Sequence, residues 1–399
     1  MLSYPEALKI ILECARPLKP KALPLSECLG KILEKNIYSP APFPAFNNSA
    51  VDGYAVCLDK RPEQTGFILK VRGEIPAGKY FSGTLKPGQA MQIFTGAPVP
   101  KGADAVVMQE YVERRNGSVM FSRKPSADEN VRFLGEDFLQ GAVLLKRKVN
   151  LGPEHLALLA ATGHRKVRVC PSPRVAILTT GSELLGPGSK PRPGKIYDSN
   201  SILLETLVKK TGGIPFGMGT AGDTLKKIEA KIREGLKQDV LIISGGVSVG
   251  KYDYVKEALK KQGVKEIFWK VNIKPGKPLY FGKKGKTFVF GLPGNPVSVF
   301  VTFEAFVKPA LLKMMGKKSE PMRSEGFLTK TFQNGPRLHF VRVRCQKRNG
   351  RFEVTPLKGQ GSHQIGTLAK ANGILKVDAN GTLAAGQKVS VSSMSGDFL

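Results

Sequence analysis

The chain has 399 residues, 41% of them hydrophobic, and its 62 Lys and Arg outnumber 32 Asp and Glu to give a formal net charge of +30. At roughly 100–200 residues per domain, this length predicts two to four domains. No apolar stretch reaches membrane-spanning length and no secretion signal opens the chain, so we expect no membrane partner. Five scattered cysteines without a CxxC pair are typical of reduced thiols in a cytoplasmic protein.

The excess of positive charge allows three kinds of anionic partner, namely nucleic acid, a membrane surface or a small molecule. The lysines are dispersed in pairs such as Lys209-Lys210 and Lys283-Lys284, and no aromatic-studded RNA-binding signature accompanies them. A solvated basic surface is the interpretation we favour, with no nucleic-acid partner. The alternative of a nucleic-acid binder predicts affinity that falls steeply with salt.

The first 170 residues are predicted to hold a β domain inserted into a second module. Three helices are predicted there. Residues 4–15 have amphipathic helical spacing, and residues 26–34 form a second short helical stretch with Ser26 as a candidate N-cap. Residues 153–162 form the third, with Pro153 at its first position and Gly163 just past its end. Between them, short alternating apolar runs are separated by Gly and Pro turns. We therefore predict an elongated α+β domain over residues 1–40 and 132–170, with an inserted β domain over residues 41–131.

Beyond the linker prolines Pro171 and Pro173, strand and helix patterns alternate, which predicts a doubly wound parallel α/β domain over residues 171–317. The predicted strands are residues 175–178, 214–218, 240–243, 268–273 and 287–290. The predicted helices are residues 200–211, 224–236, 254–261 and a last helix ending near 315. Short β patterns then return and predict a compact barrel or sandwich over residues 318–399.

The central stretch of the α/β domain runs from Asp239 to Asp253. Its apolar run Val240–Ile243 is typical of a strand buried on both faces, and Gly245 and Gly246 permit a tight turn before a helix. Backbone N–H groups in such a turn suit an anion. The stretch also matches G-x-x-x-x-G-K, but Tyr252 stands where a P-loop needs Ser or Thr, which argues against NTP hydrolysis.

Four loops follow strand ends in this domain and are expected to share one edge of the sheet: Thr180–Glu183, Ser244–Asp253, Lys274–Lys277 and Pro293–Ser298. Together they offer glycine-lined N–H donors, two lysines and several carboxylates. The carboxylates suit a hard cation such as Mg²⁺, and the lysines suit phosphate oxygens. The pattern predicts a polyanionic ligand held together with a divalent metal.

Seven motifs occur in a fixed order along almost the whole chain: Ser-Ala-Val-Asp-Gly-Tyr-Ala-Val, Phe-Thr-Gly-Ala-Pro-Val-Pro, Gly-Glu-Asp, Thr-Gly-Ser-Glu-Leu, Ser-Gly-Gly-Val-Ser-Val-Gly, Lys-Pro-Gly-Lys-Pro and Gly-Leu-Pro-Gly-Asn-Pro-Val-Ser. In them the chain resembles the molybdopterin molybdenumtransferase family, the MoeA-like molybdenum insertases. The resemblance is weakest in the C-terminal β region.

The resemblance implies an α/β multidomain fold: a three-layer, MogA-like molybdopterin-binding domain, an elongated α+β domain, an inserted β domain and a C-terminal β-barrel. It implies a cytoplasmic homodimer whose active site is shared between subunits, with transient contact to a molybdopterin adenylyltransferase. The implied reaction inserts molybdenum from molybdate into adenylylated molybdopterin, with Mg²⁺ as cofactor and release of AMP. The alternative is a non-catalytic molybdopterin-binding or scaffold protein on the same fold.

The resemblance also implies the site residues. The catalytic candidates are Asp52, Thr95, Asp137, Glu183 and Asp253, of which the first three lie across the cleft in the family. The candidate metal ligands are Glu183, Asp223 and Asp253. The candidate substrate-binding residues are Thr180, Gly181, Ser244, Gly245, Gly246, Ser248, Gly250, Lys274, Lys277, Pro293, Asn295, Pro296 and Ser298.

Two of these residues also have a purely structural interpretation. Asp52 precedes a glycine and a strand, so it is equally suited to shaping that turn. Asp223 precedes a predicted helix and is equally suited to capping it. Gly222 stands where the family commonly has a second Asp, which weakens a paired-carboxylate metal site at this point.

Overall fold

The computed structural model describes residues 1–58, 67–246, 254–319, 323–348 and 350–394, which form two compact units. The larger unit comprises residues 1–23, 30–34 and 168–399, and the smaller unit comprises residues 24–29 and 35–167. The α-helices are Tyr4–Cys14, Pro153–Ala161, Asn200–Thr211, Leu225–Gly235, Val255–Lys261, Pro296–Thr302, Lys308–Met314 and Ile365–Lys370. A π-helical stretch, Phe303–Val307, joins two of them.

A six-stranded sheet forms the smaller unit, in the order Ala105–Met108, Gly53–Cys57, Gln89–Ile93, Phe67–Ile75, Ser118–Phe121 and Val112–Arg115. Successive side chains of a strand point to opposite faces, so Tyr54 and Val56 pack into one core while Ala55 and Cys57 pack into another. The residue after Asp52 must be glycine for steric reasons, because a Cβ at Gly53 would lie 2.0 Å from the Val107 carbonyl oxygen. Asp52 is thereby held at the start of a rigid strand.

The helix predicted over residues 26–34 is wrong. Only a single 3₁₀ turn, Leu25–Glu27, forms there, and Ser26 makes no capping hydrogen bond. Leu33 instead pairs with Val169 in an isolated bridge, and the Glu34 N–H donates to the Arg168 carbonyl at 3.0 Å. Tertiary pairing has overridden a local helical pattern, which is a weak preference in so short a segment.

In the larger unit the α/β prediction is confirmed by a six-stranded sheet in the order Ile214–Ala221, Arg174–Thr180, Val240–Ser244, Thr287–Leu292, Tyr280–Lys284 and Lys265–Trp269. The first four strands are parallel, and the last two extend the sheet in antiparallel fashion. The sequence pattern missed the strand Tyr280–Lys284. Its partner follows after the two residues Gly285 and Lys286, so one hairpin was interpreted as a single strand.

Both faces of the parallel part are covered by helices. Along the strand Val240–Ser244, Val240 and Ile242 enter one hydrophobic core, whereas Leu241 and Ile243 enter the other. This arrangement confirms the sequence prediction of a strand buried on both faces. It also leaves only the strand ends open to a ligand.

The C-terminal region is a closed five-stranded barrel in the order Leu338–Arg348, Arg351–Pro356, Arg323–Leu328, Lys388–Ser393 and Gly373–Val377, which pairs back to the first strand. A two-residue strand, Ile273–Lys274, pairs in parallel with the start of Leu338–Arg348. The loop that carries the two candidate lysines is therefore fastened to the barrel.

The helix Tyr4–Cys14 completes the larger unit. It begins with a capping box between Ser3 and Glu6, and its buried residues Ala7 and Ile11 belong to the core that also holds the last α/β helices.

The remaining short strands are Lys21–Pro24, Ile37–Tyr38, Asn48–Ser49, Val131–Arg132, Val143–Leu145, Lys166–Val169, Leu184–Leu185, Ile196–Tyr197, Phe332–Gln333 and Thr382–Leu383. Within the described ranges, no helix combines the length and apolarity that a membrane crossing requires.

Candidate functional site

A cavity of about 900 Å³ opens at the carboxyl ends of the parallel strands. The strand register places it there, because Thr179 pairs with Ser244 and Ser244 pairs with Leu292, so three strands end at one level. The predicted residues that line it are Thr180, Gly181, Glu183, Asp223, Ser244, Gly245, Gly246, Lys274, Lys277, Pro293, Asn295, Pro296 and Ser298. The predicted residues Ser248, Gly250 and Asp253 lie outside the described residues.

The glycine turn is sterically specified. Gly245 has φ +91°, and a Cβ there would lie 2.6 Å from the Thr180 carbonyl oxygen. Gly246 has φ +64°, and its Cβ would lie 2.6 Å from Val255 Cγ2. The Gly245 N–H donates to the Leu292 carbonyl at 3.1 Å, so this amide holds neighbouring strands together instead of facing a ligand. The turn needs glycine because it is packed against the sheet.

Two carboxylates lie on the Thr180–Glu183 side of the cavity. Asp223 Oδ2 accepts from the Ser182 N–H at 2.8 Å, and the Asp223 N–H donates to Ser182 Oγ at 3.1 Å. The helix-capping interpretation of Asp223 is wrong, because the helix begins with Thr224 as N-cap and has no side-chain cap. Glu183 is exposed, and its carboxylate lies over Gly181, where a Cβ would be 2.4 Å from Oε2.

These carboxylates fit a magnesium ion that is shared with a substrate. Among the residues that the structure describes, no cluster of three or more His, Cys, Asp or Glu could enclose a metal. Mg²⁺ is usually bound through one or two carboxylates together with water and substrate phosphates, so a full protein cage is not required. Glu183 and Asp223 supply that kind of partial ligand set.

The cavity is also lined by cations. Lys274 and Lys277 are exposed along its wall, and Arg337 of the barrel joins them there. Arg337 Nη1 donates to the Ile273 carbonyl at 3.1 Å, which anchors the guanidinium beside the lysine loop. Three cations and two carboxylates in one cavity suit a polyanion that also carries a metal.

Asn200 is a cavity residue that the sequence analysis did not single out. Asp198 caps the helix that begins there, since its Oδ1 accepts from the Asn200 and Ser201 N–H groups. The Asn200 amide nitrogen donates to Ser244 Oγ at 3.0 Å and to the Gly294 carbonyl at 2.7 Å. Because that carbonyl can only accept, it fixes the amide orientation. The buried Oδ1 has no partner within the described ranges and can accept from a ligand.

A loop from the barrel closes the cavity beside the proline loop. Asn295 Nδ2 donates to Ser362 Oγ at 2.8 Å, and the Val297 N–H donates to the Ser362 carbonyl at 3.1 Å. The cavity residues contributed by this loop are Gln360, Gly361, Ser362 and His363. None of them was predicted, because a Gly-Gln-Gly-Ser sequence signals only a turn and its place in the cavity depends on how the barrel docks.

The other three candidates lie in the smaller unit. The Thr95 N–H and hydroxyl both donate to Asp52 Oδ1 at 2.7 Å, and these hydrogen bonds lower the pKa of the Asp52 carboxyl. Asp137 is exposed, and its N–H donates to the Phe43 carbonyl at 3.0 Å. It lines a second cavity of about 770 Å³ whose walls are mainly the proline-rich segment 39–46.

Replacing Thr95 by Val should raise the pKa of Asp52 towards its ordinary value, because the hydroxyl donor is lost while the backbone donor stays. A depressed carboxyl pKa stabilises the fold above the unfolded-state pKa, and this is lost as the pH falls through the folded-state pKa. In the variant the folded-state pKa of Asp52 lies closer to its unfolded-state pKa. The pH range over which this carboxyl contributes to stability and then loses it should therefore be narrower. Carboxyl-carbon NMR titration measures the shift, and Thr331→Val serves as the control. An unchanged Asp52 titration in Thr95→Val would contradict the assignment.

The comparisons with known proteins cover the whole chain. The family descriptions that match are "MoeA N-terminal region (domain I and II)" at residues 2–163, "Probable molybdopterin binding domain" at residues 176–313 and "MoeA C-terminal region (domain IV)" at residues 327–394. A molybdopterin molybdenumtransferase of Haemophilus influenzae is 36% identical, covering 98% of this chain and 98% of its own length.

Two further relatives agree. Molybdopterin molybdenumtransferase 2 of Mycobacterium tuberculosis is 35% identical, covering 98% of this chain and 99% of that protein. The solved structure of a molybdopterin biosynthesis MoeA protein from Pyrococcus horikoshii aligns with a TM-score of 0.79 at 32% identity, covering 98% of this chain and 99% of that one. The chain therefore belongs to the molybdopterin molybdenumtransferase (MoeA) family, transferases of molybdenum cofactor biosynthesis.

Proposed function

We propose that the protein inserts molybdenum from molybdate into adenylylated molybdopterin and releases AMP. The observation that carries this proposal is the single cavity in which a glycine turn, two carboxylates and three cations converge at the strand ends. Adenylylated molybdopterin contains a pyrophosphate and molybdate is a dianion, so both substrates need cationic and N–H donors. In this proposal Lys274, Lys277 and Arg337 bind the oxyanions.

The carboxylates have a separate role in the proposal. Glu183, Asp223 and Asp253 would hold Mg²⁺, and the bound ion would supply positive charge to a pyrophosphate substrate. Ser244, Gly245 and Gly246 shape the phosphate-binding turn. Ser248 and Gly250 are further candidate substrate-binding residues. The loop from Pro293 to Ser298 keeps the far wall rigid, since two prolines fix its backbone. Asp52, Thr95 and Asp137 are supplied by the other subunit of a dimer and orient the reacting oxyanion.

A homodimer is supported by apolar side chains that the smaller unit leaves exposed. Phe43 and Phe46 line the second cavity. The other exposed large apolar side chains in the segments 38–46 and 133–143 are Tyr38, Phe133, Leu134, Leu139 and Val143. So many exposed apolar groups in one region indicate a protein-binding surface. The five cysteines are scattered along the sequence without a CxxC pair, which supports a cytoplasmic location.

Two organisational proposals complete the function. In this proposal a molybdopterin adenylyltransferase supplies the adenylylated substrate through transient contact. We also retain the four-domain division: residues 1–40 with 132–170, residues 41–131, residues 171–317 and residues 318–399. Each is a proposal that limited proteolysis and pull-down with that enzyme can address.

Reconstitution with purified components tests the function. Full-length protein, adenylylated molybdopterin, Mg²⁺ and molybdate should yield AMP and a cofactor that activates a molybdenum-free apoenzyme. Omitting molybdate should prevent apoenzyme activation. Binding of adenylylated molybdopterin without AMP release above a no-protein control would reject the enzyme and favour the non-catalytic scaffold.

A further inference from the structure

Arg342 is a buried charge in the wall behind the cavity. It lies on the barrel strand Leu338–Arg348 and is 0% exposed, and among the described residues no carboxylate pairs with it. Burial lowers the pKa of its guanidinium. A buried cation without an acidic partner is destabilising, so its presence calls for a compensating interaction.

The guanidinium donates to two backbone carbonyls of the loop that enters the cavity and to one side-chain hydroxyl. Its Nη2 donates to the Gly359 carbonyl at 2.7 Å and to the Gly361 carbonyl at 3.1 Å, and Nε donates to Thr367 Oγ1 at 2.9 Å. Nη1 is buried without a partner in the described part of the chain. Carbonyl dipoles therefore solvate the charge but do not neutralise it.

The main chain of Arg342 is held by the same loop. Its N–H donates to Gln360 Oε1 at 3.0 Å, and Gln360 Nε2 donates back to the Arg342 carbonyl at 2.9 Å. Gly359, Gln360 and Gly361 thus enclose Arg342 from both sides. The next two residues, Ser362 and His363, line the cavity, so their position depends on this clamp.

The surroundings confirm an excess of positive charge. Burial, followed by the charges of Lys274, Arg342 and Arg337, lowers the pKa of His339 to about 4. The His339 ring is 2% exposed, and its Nε2 has no partner within the described residues. Three cations therefore act on one neutral imidazole at the point where the lysine loop pairs with the barrel. An anion bound in this part of the cavity would reduce the electrostatic repulsion among these three cations.

We propose that Arg342 is a positioning residue for a tetrahedral oxyanion: it holds Gly359–Gly361 so that Ser362 meets the anion beside Lys274 and Arg337, and its buried charge attracts the anion. The identification of that oxyanion as molybdate rests on the proposed function. The attraction itself requires only a small dianion.

Titration of the full-length protein with sodium molybdate, without pterin, tests the proposal in two variants. Arg342→Met, which removes the charge, should weaken binding about tenfold or more at low salt and flatten its salt dependence. Arg342→Lys keeps the positive charge but lacks the planar guanidinium with its several N–H donors. It should weaken molybdate binding only about threefold. Equal affinity in wild type and Arg342→Met, or equal loss and equal salt slopes in both variants, would overturn the proposal.

A second pair of variants leaves Arg342 in place, in case Arg342→Met does not fold. Thr367→Asp puts a carboxylate beside Nε, and Thr367→Asn is the uncharged match. Thr367→Asp should bind molybdate about tenfold more weakly than Thr367→Asn, because the guanidinium is then neutralised. Equal affinities would overturn the proposal. Molybdate binding without AMP release would reject the proposed function alone, whereas normal turnover with unchanged binding in Arg342→Met would reject this inference alone.

Discussion

Glu183→Gln is expected to lower the rate of AMP release by about 10²–10³-fold while binding of adenylylated molybdopterin changes by no more than about threefold. The substitution keeps the shape of the side chain and removes only its charge. Glu183 follows the strand Arg174–Thr180 and lines the same cavity as the two lysines. Loss of a carboxylate that is proposed to hold the metal should therefore act on turnover more than on binding.

Turnover and equilibrium binding must be measured on the same preparations. Glu257→Gln is a suitable control, because Glu257 is exposed on the helix Val255–Lys261 and pairs with Lys261 outside the cavity wall. It should retain nearly full activity. If Glu183→Gln loses no more activity than Glu257→Gln, the proposed role of Glu183 is wrong.

Gly245→Ala is expected to destabilise the larger unit by about 2–4 kcal/mol and to abolish measurable turnover. Two penalties combine, since φ is +91° and the added methyl would meet a backbone oxygen of Thr180 at 2.6 Å. Moving Thr180 would disturb the end of a central strand and the cavity together. Urea unfolding followed by far-ultraviolet circular dichroism measures the loss of stability.

The matched control for this change is Gly219→Ala. Gly219 has φ +70°, but nothing lies within 4 Å of an added Cβ, so only the backbone penalty of about 1 kcal/mol applies. The difference between the two variants isolates the steric contact with Thr180. Equal losses of stability in both would show that the close approach at Gly245 is not significant.

The part of the site that the sequence predicted is the part built from consecutive strand ends. Thr180, Ser244 and Pro293 each follow an apolar β-branched run, and parallel register places such ends at one edge of a sheet. Asp223 was found at this edge as well, although its helix-capping alternative failed because the backbone N–H of Ser182 holds its carboxylate. The roles of Ser248, Gly250 and Asp253 stay predictions.

The site residues that the sequence analysis missed lie in the C-terminal barrel, far along the chain from the α/β strand ends. Arg337, Gln360 and Ser362 reach the cavity because the barrel pairs with Ile273–Lys274, and no local pattern encodes that pairing. The second gap has the opposite cause. Residues 26–34 have a helical sequence pattern, but Leu33 forms an isolated β-bridge with Val169 instead. Local helix propensity determines the secondary structure of a segment only where tertiary contacts do not favour another conformation.

The ring of Tyr4 has a bearing on how heat inactivates the protein. It makes edge-on contacts with Phe306 and Phe340, with centroid distances of 5.5 and 5.3 Å, so the first helix, the last α/β helices and the barrel share one aromatic junction. These elements are expected to melt cooperatively. Substrate affinity should consequently persist almost undiminished on warming and then vanish over a narrow temperature interval, without a stage at which the glycine turn survives and the lysine loop has gone.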